Sequence, residues 1–465
     1  MQLRHKSLVI ISAVGTTGLL ILFVSAEWAA FAGLTIVALS AMILGRKALL
    51  HPYLWYTAVF YLYSVSHPVL VWVGENAPTG SIRDTLVLEW LALSTFVLVV
   101  GPGEPRAGTF RPLSRSSRTA AWLILAGSLI PCSLLVSGVQ SSSLKNSVQI
   151  VATSNLLPSY HWGFSILILA YAILLSDSIV RKRRLWGPAV LVIVGIGSSV
   201  LSLLIIGQRS DIFRALWITL LLIYIFKPGF RRIRLAILAF ALLCAVPIAQ
   251  ELKSSLISGR GASLAPESNL LVRVLKGEFV SASENLSLVI ARWGDTRYYG
   301  QTLVWDLVAA VRPSFLFPDR KTESVTNQFN IQMFQSVFAS GGGQGFTLIG
   351  EGYVNFGAAG VVLWFMLVGL FVRFFYQRSG RSLLAMIAYV MATPLLMIST
   401  RGDMSNIMSQ FGKHVLLPLI LVAIVGRMFQ RQGCVRRVGT LWELRCRDPQ
   451  AVEPNGTTRS SSKSV

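Results

Sequence analysis

Charge is what this sequence has least of. Only 13% of its 465 residues are Asp, Glu, Lys or Arg, about half the share that a soluble domain carries, which excludes a water-exposed globule. Acidic residues are the scarcer sign, 20 against 42 basic ones. No grouping of Asp, Glu and His has metal-ligand spacing, and no glycine-rich stretch is followed by the Lys-Ser/Thr of a phosphate-binding loop. A metal centre and a nucleotide site are therefore not expected. The four cysteines build no framework, since Cys132 and Cys244 fall in apolar runs and Cys434 and Cys446 in the C-terminal tail. There is no repeat of fixed period and no similarity between the two halves.

What the chain has instead is apolar length. Hydrophobic residues make up 53% of it, the mean hydropathy is +0.62, and the apolar runs are each long enough to cross, or nearly cross, a hydrocarbon core of about 30 Å. The runs are Leu8–Val24, Trp28–Leu44, Tyr53–Val73, Thr85–Val100, Ala120–Gly138, Tyr160–Leu175, Gly187–Ile206, Ile212–Phe226, Leu235–Ala249, Ile349–Val372, Leu383–Ile398 and His414–Gly426, the last beginning earlier, near Asn406. The expected fold is an all-α polytopic membrane protein of about twelve transmembrane helices with one long outer loop carrying short helices. The first run follows Arg4, His5 and Lys6 and resembles a signal peptide, but the next begins almost at once, so it reads as a retained signal-anchor.

A net charge of +22 raises the question of a nucleic-acid partner. Position answers it. The N-terminus, alternate loops and the tail collect 27 of the 42 basic residues, including Arg46, Lys47, Arg106, Arg181 to Arg184, Arg231 and Arg373. Short loops and helix ends on the other side hold six, and the long loop nine. That asymmetry is topological: both termini face the cytoplasm and the loop from Glu251 to Leu348 lies outside. Four regions follow: helices over 1–250, an outer loop domain over 251–348, helices over 349–428, and a basic, polar tail over 429–465 expected to lie disordered at the inner leaflet.

Because charge is rare at the outer face, the few charges there stand out. Arg209 and Asp211 lie in GQRSD between two apolar runs, with Arg214 one helical turn on, and Arg401 and Asp403 lie in STRGDMSN before the last run. Each is readable as a polar turn in which the pair partly neutralises itself, or as part of a site for an anionic ligand, which arginine binds through its planar fork. In the long loop, 269–293 reads as an amphipathic helix with Leu271, Val274, Leu275 and Phe279 at helical spacing, and 301–311 as a second. VRPSFLFPDRK then holds Arg312, Arg320 and Lys321 between prolines, and glycines at 341, 342, 343 and 345 permit either a flexible connector or a close backbone approach. Glu351 stands at the outer mouth of a run, with Tyr353 and Asn355 within a turn, as a cap of the helix start or a catalytic carboxylate. Of His67, His161 and His414 near outer helix ends, His161 is flanked by aromatics, in Tyr160-His161-Trp162.

The order of these features resembles Wzy-type O-antigen and exopolysaccharide repeat-unit polymerases: GQRSD at an outer turn, RPSFLFPDRK in the long loop, EGYVNFG entering a run, and Arg401 after the penultimate run with Gly412 closing an Arg-x10-Gly spacing. The resemblance covers roughly Gly207 to Gly412. It implies a metal-independent glycosyltransferase with no cofactor, resident in the bacterial inner membrane. Its substrate would be undecaprenyl-diphosphate-linked oligosaccharide, with membrane lipids around it and a chain-length regulator and a flippase as partners. On this reading Arg209, Arg401, Arg260, Arg312 and Lys321 bind the diphosphate, Glu351, Asp403 and His161 are the candidates for the base, and Tyr353 and Asn355 position the substrate. Two rivals remain: the O-antigen ligase class, with the same lipid donor, and a lipid-linked oligosaccharide flippase.

Overall fold

A computed structural model describes residues 2–46, 48, 50–105, 110, 112–138, 156–181, 186–206, 209–226, 272, 275–295, 297–305, 324–339, 344–433, 435–438 and 441–444. The predicted run Leu235–Ala249 lies outside them. Each of the other apolar runs is helical: α1 (Gln2–Phe23), α2 (Glu27–Gly45), α3 (Pro52–Trp72), α4 (Ile82–Val100), α5 (Arg115–Gly138), α6 (Leu156–Val180), α7 (Trp186–Ile206) and α8 (Arg209–Phe226). After the long loop's own α9 (Val280–Trp293), α10 (Val325–Met333) and α11 (Gln335–Ala339) come α12 (Leu348–Ser379), α13 (Leu383–Ile398), α14 (Met404–Phe411) and α15 (Leu417–Gly433). A turn of π-helix, Gly412–Leu416, joins the last two. Six helical segments among the described residues are long and apolar enough to cross a membrane. The chain is a polytopic helical membrane protein. One antiparallel hairpin in the tail, β1 (Val435–Val438) with β2 (Leu441–Leu444), is the departure from the all-α expectation.

Hydrophobicity makes these segments helical, because a backbone in lipid must satisfy its own hydrogen bonds. Polar caps then fix where each begins. Ser81 accepts from the Asp84 amide at 3.2 Å, Thr347 from Gly350 at 2.9 Å and Ser382 from Ala385 at 3.1 Å, each satisfying a donor that the first turn leaves orphaned.

α1 to α4 pack together with α12, and α5 to α8 with α15. α13 lies between the two groups, touching α3, α6, α8 and α12, which is why nearly all of its surface is buried. Cross-links tie it in on both sides: Trp55 Nε1 donates to the Tyr389 hydroxyl at 2.9 Å and Trp217 Nε1 to Thr393 Oγ1 at 2.9 Å. These contacts sort the loops. Arg46, Arg181, Arg373 and Arg381 fall at one end of the bundle, where Arg373 donates to the Val99 carbonyl and Arg181 pairs with Asp177 at 2.9 Å. The starts of α4, α8, α12 and α14 fall at the other, called the site end below.

The described part of the long loop is packed onto that site end. Leu275 and Phe279, on the predicted amphipathic face, are buried, Leu275 against Leu70 of α3 and Phe279 against Tyr63. Trp293, Phe329 and Phe346 form a second small core with ring centroids 5.3 to 6.0 Å apart, together with Val289, Val325 and Val354.

α12 is not one straight rod. Phe356 and Gly357 leave helical geometry, Gly357 at φ 62°, ψ −147°, a region open essentially to glycine alone. The break brings Gly352 and Gly360 so close that a Cβ on Gly360 would meet the Gly352 carbonyl oxygen at 1.9 Å. Glu351 therefore belongs to a short helix set off from the apolar rod, whereas the sequence placed it at the mouth of a continuous run.

Candidate functional site

Two helix starts meet at Glu351. α12 starts at Leu348 because Thr347 caps it, which puts Glu351 in its first turn. α14 starts at Met404 because Asp403 caps it, accepting from the Asn406 amide at 2.6 Å. Glu351 is fully buried between them. Its Oε2 accepts from the Met404 amide at 2.7 Å, and Oε1 lies 3.5 Å from Thr302 Oγ1. The carboxylate thus serves the start of α14 as well as the first turn of its own helix, and two sets of orphan N–H groups favour its negative charge.

The glycine-rich stretch does make a close approach. A Cβ on Gly345 would lie 2.2 Å from the Arg401 carbonyl oxygen, so this strand of backbone passes directly against the Arg401 turn. Asn285 Nδ2 holds the Gly345 carbonyl at 2.8 Å, while Asn330 donates to the Gln344 carbonyl at 2.8 Å and accepts from its amide at 2.6 Å. Arg401 itself is half-buried. Glycines 341 to 343 lie outside the described residues.

Asp403 is nearly buried. Besides Asn406 it accepts a short hydrogen bond from Thr326 Oγ1 on α10, which links the α14 start to the long loop. Burial pushes the Asp403 carboxyl above the usual range, against the opposing pull of the Thr326 and Asn406 hydrogen bonds.

Asn355, one turn after Glu351, is also fully buried. Its amide group donates to Thr302 Oγ1 at 2.6 Å and to the Glu351 carbonyl at 2.8 Å, and its oxygen accepts from the Gly300 amide at 2.8 Å. The bonds to Thr302 and Gly300 pin residues 300–302 to α12, while the bond to Glu351 stays within the helix. Tyr353 faces the same segment, with the Arg297 guanidinium 5.0 Å from its ring centroid.

The remaining site residues fall as follows. Arg209 heads α8. Asp211 pairs with Arg214 at 3.1 Å, the i,i+3 spacing on one helix face, and the Arg209 side chain lies outside the described ones. The Trp217–Thr393 bond puts this end of α8 at the same level as the end of α13, where the Arg401 turn begins. His161 lies in the first turns of α6, and one turn on Ser165 bonds His414, which is buried. Arg260, Arg312 and Lys321 lie outside the described residues.

Sequence reasoning missed four participants. Thr302 and Asn285 are buried polar residues of the loop, and polar residues inside a predicted amphipathic helix were the available signal for Asn285. Arg297 sits in the RYYG turn. Glu89, in the interior of α4 and 2% exposed, lines a small cavity with Ser64, Thr347 and Thr400. The hydroxyl of Ser283 lies beside its carboxylate. A lone Glu in TLVLEWLAL was the signal, since an ionisable residue at membrane depth is costly.

The arrangement brings two buried carboxylates, an arginine turn and a backbone laid against that turn to one end of the bundle. It can stabilise an anionic group beside a proton acceptor.

Residues 306–432, roughly a quarter of the chain, match the family model described as O-antigen polysaccharide polymerase Wzy. No curated protein and no solved structure gives a match.

Proposed function

From that match we propose that the chain is a Wzy-type polymerase, joining lipid-diphosphate-linked oligosaccharide repeat units into O-antigen or a related surface polysaccharide. The supporting observation is one of overlap. The matched residues, 306–432, are those that carry Glu351, Gly345, Arg401 and Asp403, and these converge at one end of the bundle. The sequence's charge asymmetry assigns that end to the outer, periplasmic face of the bacterial inner membrane, with about twelve spans behind it and both termini in the cytoplasm.

In the proposed reaction a sugar hydroxyl of one lipid-linked unit attacks the anomeric carbon of the chain held on another lipid. The new C–O bond forms as the bond to the diphosphate breaks, and the lipid diphosphate leaves with the electron pair. Arg401 and Arg209 stabilise the charge gathering on that leaving group, a role for preorganised cations. Arg260, Arg312 and Lys321 supply further positive charge from the loop. The proton of the attacking hydroxyl passes to Asp403, whose burial raises its proton affinity. Glu351 is a positioning residue holding the Met404 start, and with it the Arg401 turn, in register. Tyr353 orients the acceptor, Asn355 fixes the segment beneath it, and His161 is the alternative base.

One observation favours transport: Glu89 is buried within a span, where a flippase would carry charge. Its cavity, however, is lined by Thr347 and Thr400, next to the site residues. Reconstitution with lipid-linked repeat units decides the matter. Polymer made by the purified chain, and lost on Arg401→Ala by about 100-fold or more in kcat, supports the polymerase. With lipid A core added as an acceptor, its capping without polymer indicates a ligase, and flipping without new glycosidic bonds a transporter. Equal polymer from wild type, Arg209→Ala, Arg401→Ala and Glu351→Ala would refute the site.

A further inference from the structure

The turn pinned by Asn355 contains a residue that neither turn chemistry nor packing accounts for. Residues 298–301 form a β-turn, closed by the Gln301 amide donating to the Tyr298 carbonyl at 2.9 Å. Tyr299 takes φ 46° and Gly300 φ 88°. Two successive positive φ values define the type I′ turn, whose first central position favours Asn, Asp or Gly. Tyr299 is the single positive-φ residue among the described ones that is not glycine, and a bulky side chain there is strained. A strained aromatic can be retained for packing, but the Tyr299 side chain is 75% exposed. By contrast, the neighbouring ring is used: Tyr298 meets Trp293 and Trp305 edge-on at 6.1 and 5.8 Å.

The backbone of the turn is held firmly. The Tyr298 amide donates to the Val354 carbonyl at 2.9 Å, that of Tyr299 to the Asn355 carbonyl at 3.2 Å, and that of Gly300 to Asn355 Oδ1 at 2.8 Å. Asn355 is one helical turn from Glu351. An exposed ring is thus carried on backbone tied to the helix of Glu351, two residues from Arg297, which itself contacts Tyr353. Observed strain at an ordered, solvent-facing residue points to a ligand.

We propose that Tyr299 is a stacking platform for a pyranose ring of the lipid-linked glycan, a subsite that steers the saccharide toward the Glu351–Arg401–Asp403 cluster. The proposal rests on the polymerase reading for the identity of the saccharide. The C–H face of a pyranose is weakly positive and meets the negative face of an aromatic ring. The backbone ties at 354 and 355 fix the main chain that carries the ring before the ligand arrives, so the turn itself loses little freedom on binding.

The turn itself supplies the test. Tyr299→Asn installs the residue that the turn prefers while deleting the ring, so a structural role and a ligand role predict opposite results. With the full-length chain reconstituted with lipid-linked repeat units, Tyr299→Asn is expected to melt no lower than wild type. It should nonetheless raise KM for the repeat unit about tenfold, as loss of one aromatic contact of ~1.4 kcal/mol would, and shorten the product. Tyr299→Phe and Tyr299→Trp should stay within about twofold of wild type, because each keeps a face to stack on. Tyr299→Leu should behave like Tyr299→Asn; if it retains wild-type KM, the ring contacts lipid and the saccharide assignment falls. An unchanged KM for Tyr299→Asn overturns the proposal outright. Titration of detergent-solubilised protein with the lipid-free repeat-unit oligosaccharide reads binding apart from polymerisation. If wild type makes no polymer yet binds the oligosaccharide more tightly than Tyr299→Asn, the polymerase reading fails and the subsite stands; equal binding refutes the subsite.

Discussion

Asp403 and Glu351 are both candidate bases in the sequence, and the structure gives them different work. Glu351 accepts from the start of a neighbouring helix; Asp403 caps its own and is held above the usual carboxylate range by burial. A base with a raised pKa works only once pH exceeds that value, so the rate of wild type should fall as pH drops toward it, earlier than for an ordinary carboxylate. Asp403→Asn keeps a good N-cap, costing at most a few tenths of a kcal/mol through the cap, about the difference between the two best capping residues. It should therefore fold, lose turnover and lose the acidic limb of the pH–rate profile. A variant that retains that limb would remove Asp403 from the base role. Glu351→Gln should leave the limb where it is while lowering kcat, since the start of α14 loses a charge-assisted bond worth ~1.5–3 kcal/mol. A shifted limb in that variant would make Glu351 the base instead.

Among elements, the break in α12 and the approach of the glycine-rich strand set the geometry. Gly357 sits where L-residues are strained, so Gly357→Ala should destabilise by about 1–3 kcal/mol and slacken the Glu351 helix against the apolar rod. Gly345→Ala places a methyl 2.2 Å from the Arg401 carbonyl, so the turn must move. The expected result is a large fall in kcat with the membrane bundle intact, read by activity together with circular dichroism. The loop's own core is a further element. Trp293→Ala opens the cluster with Phe329 and Phe346 at a cost of about 3–5 kcal/mol. Limited proteolysis should then cut the loop while the spans stay protected; an uncut loop would show that this cluster does not hold it. The Lys276–Glu75 ion pair at the other end of the loop is more than 40% exposed on both sides and contributes ~0–1 kcal/mol, so Glu75→Ala should leave the loop resistant.

For the whole molecule, the orientation in the membrane is the open prediction. A cysteine at Glu75, at the site end, should react with an impermeant thiol reagent from outside. A cysteine at Arg381, at the opposite end, should react only after the membrane is opened. The reverse pattern would turn the molecule over and remove the periplasmic assignment.

Hydropathy was enough to locate the long apolar helices. A lipid environment leaves the backbone only helices or closed barrels, and long apolar runs of this kind are the mark of the helical choice. The apolar runs inside the described residues are helical accordingly. The prominence of Glu351, Arg401 and Asp403 was legible for the same reason, because polar groups are rare where burial is costly. What each does was not. Partners such as Met404 and Thr302 for Glu351, or Gly345 for Arg401, are brought from distant parts of the chain by packing. Glu89 read as one more residue of a span until α9 and the Thr400 turn closed over it. Tyr299 carried no signal at all, since its distinction is a backbone angle fixed by Asn355. The sequence determined which segments become long apolar helices, through local hydrophobic chemistry. Only tertiary packing decided which scattered polar groups meet, because those contacts join residues far apart along the chain.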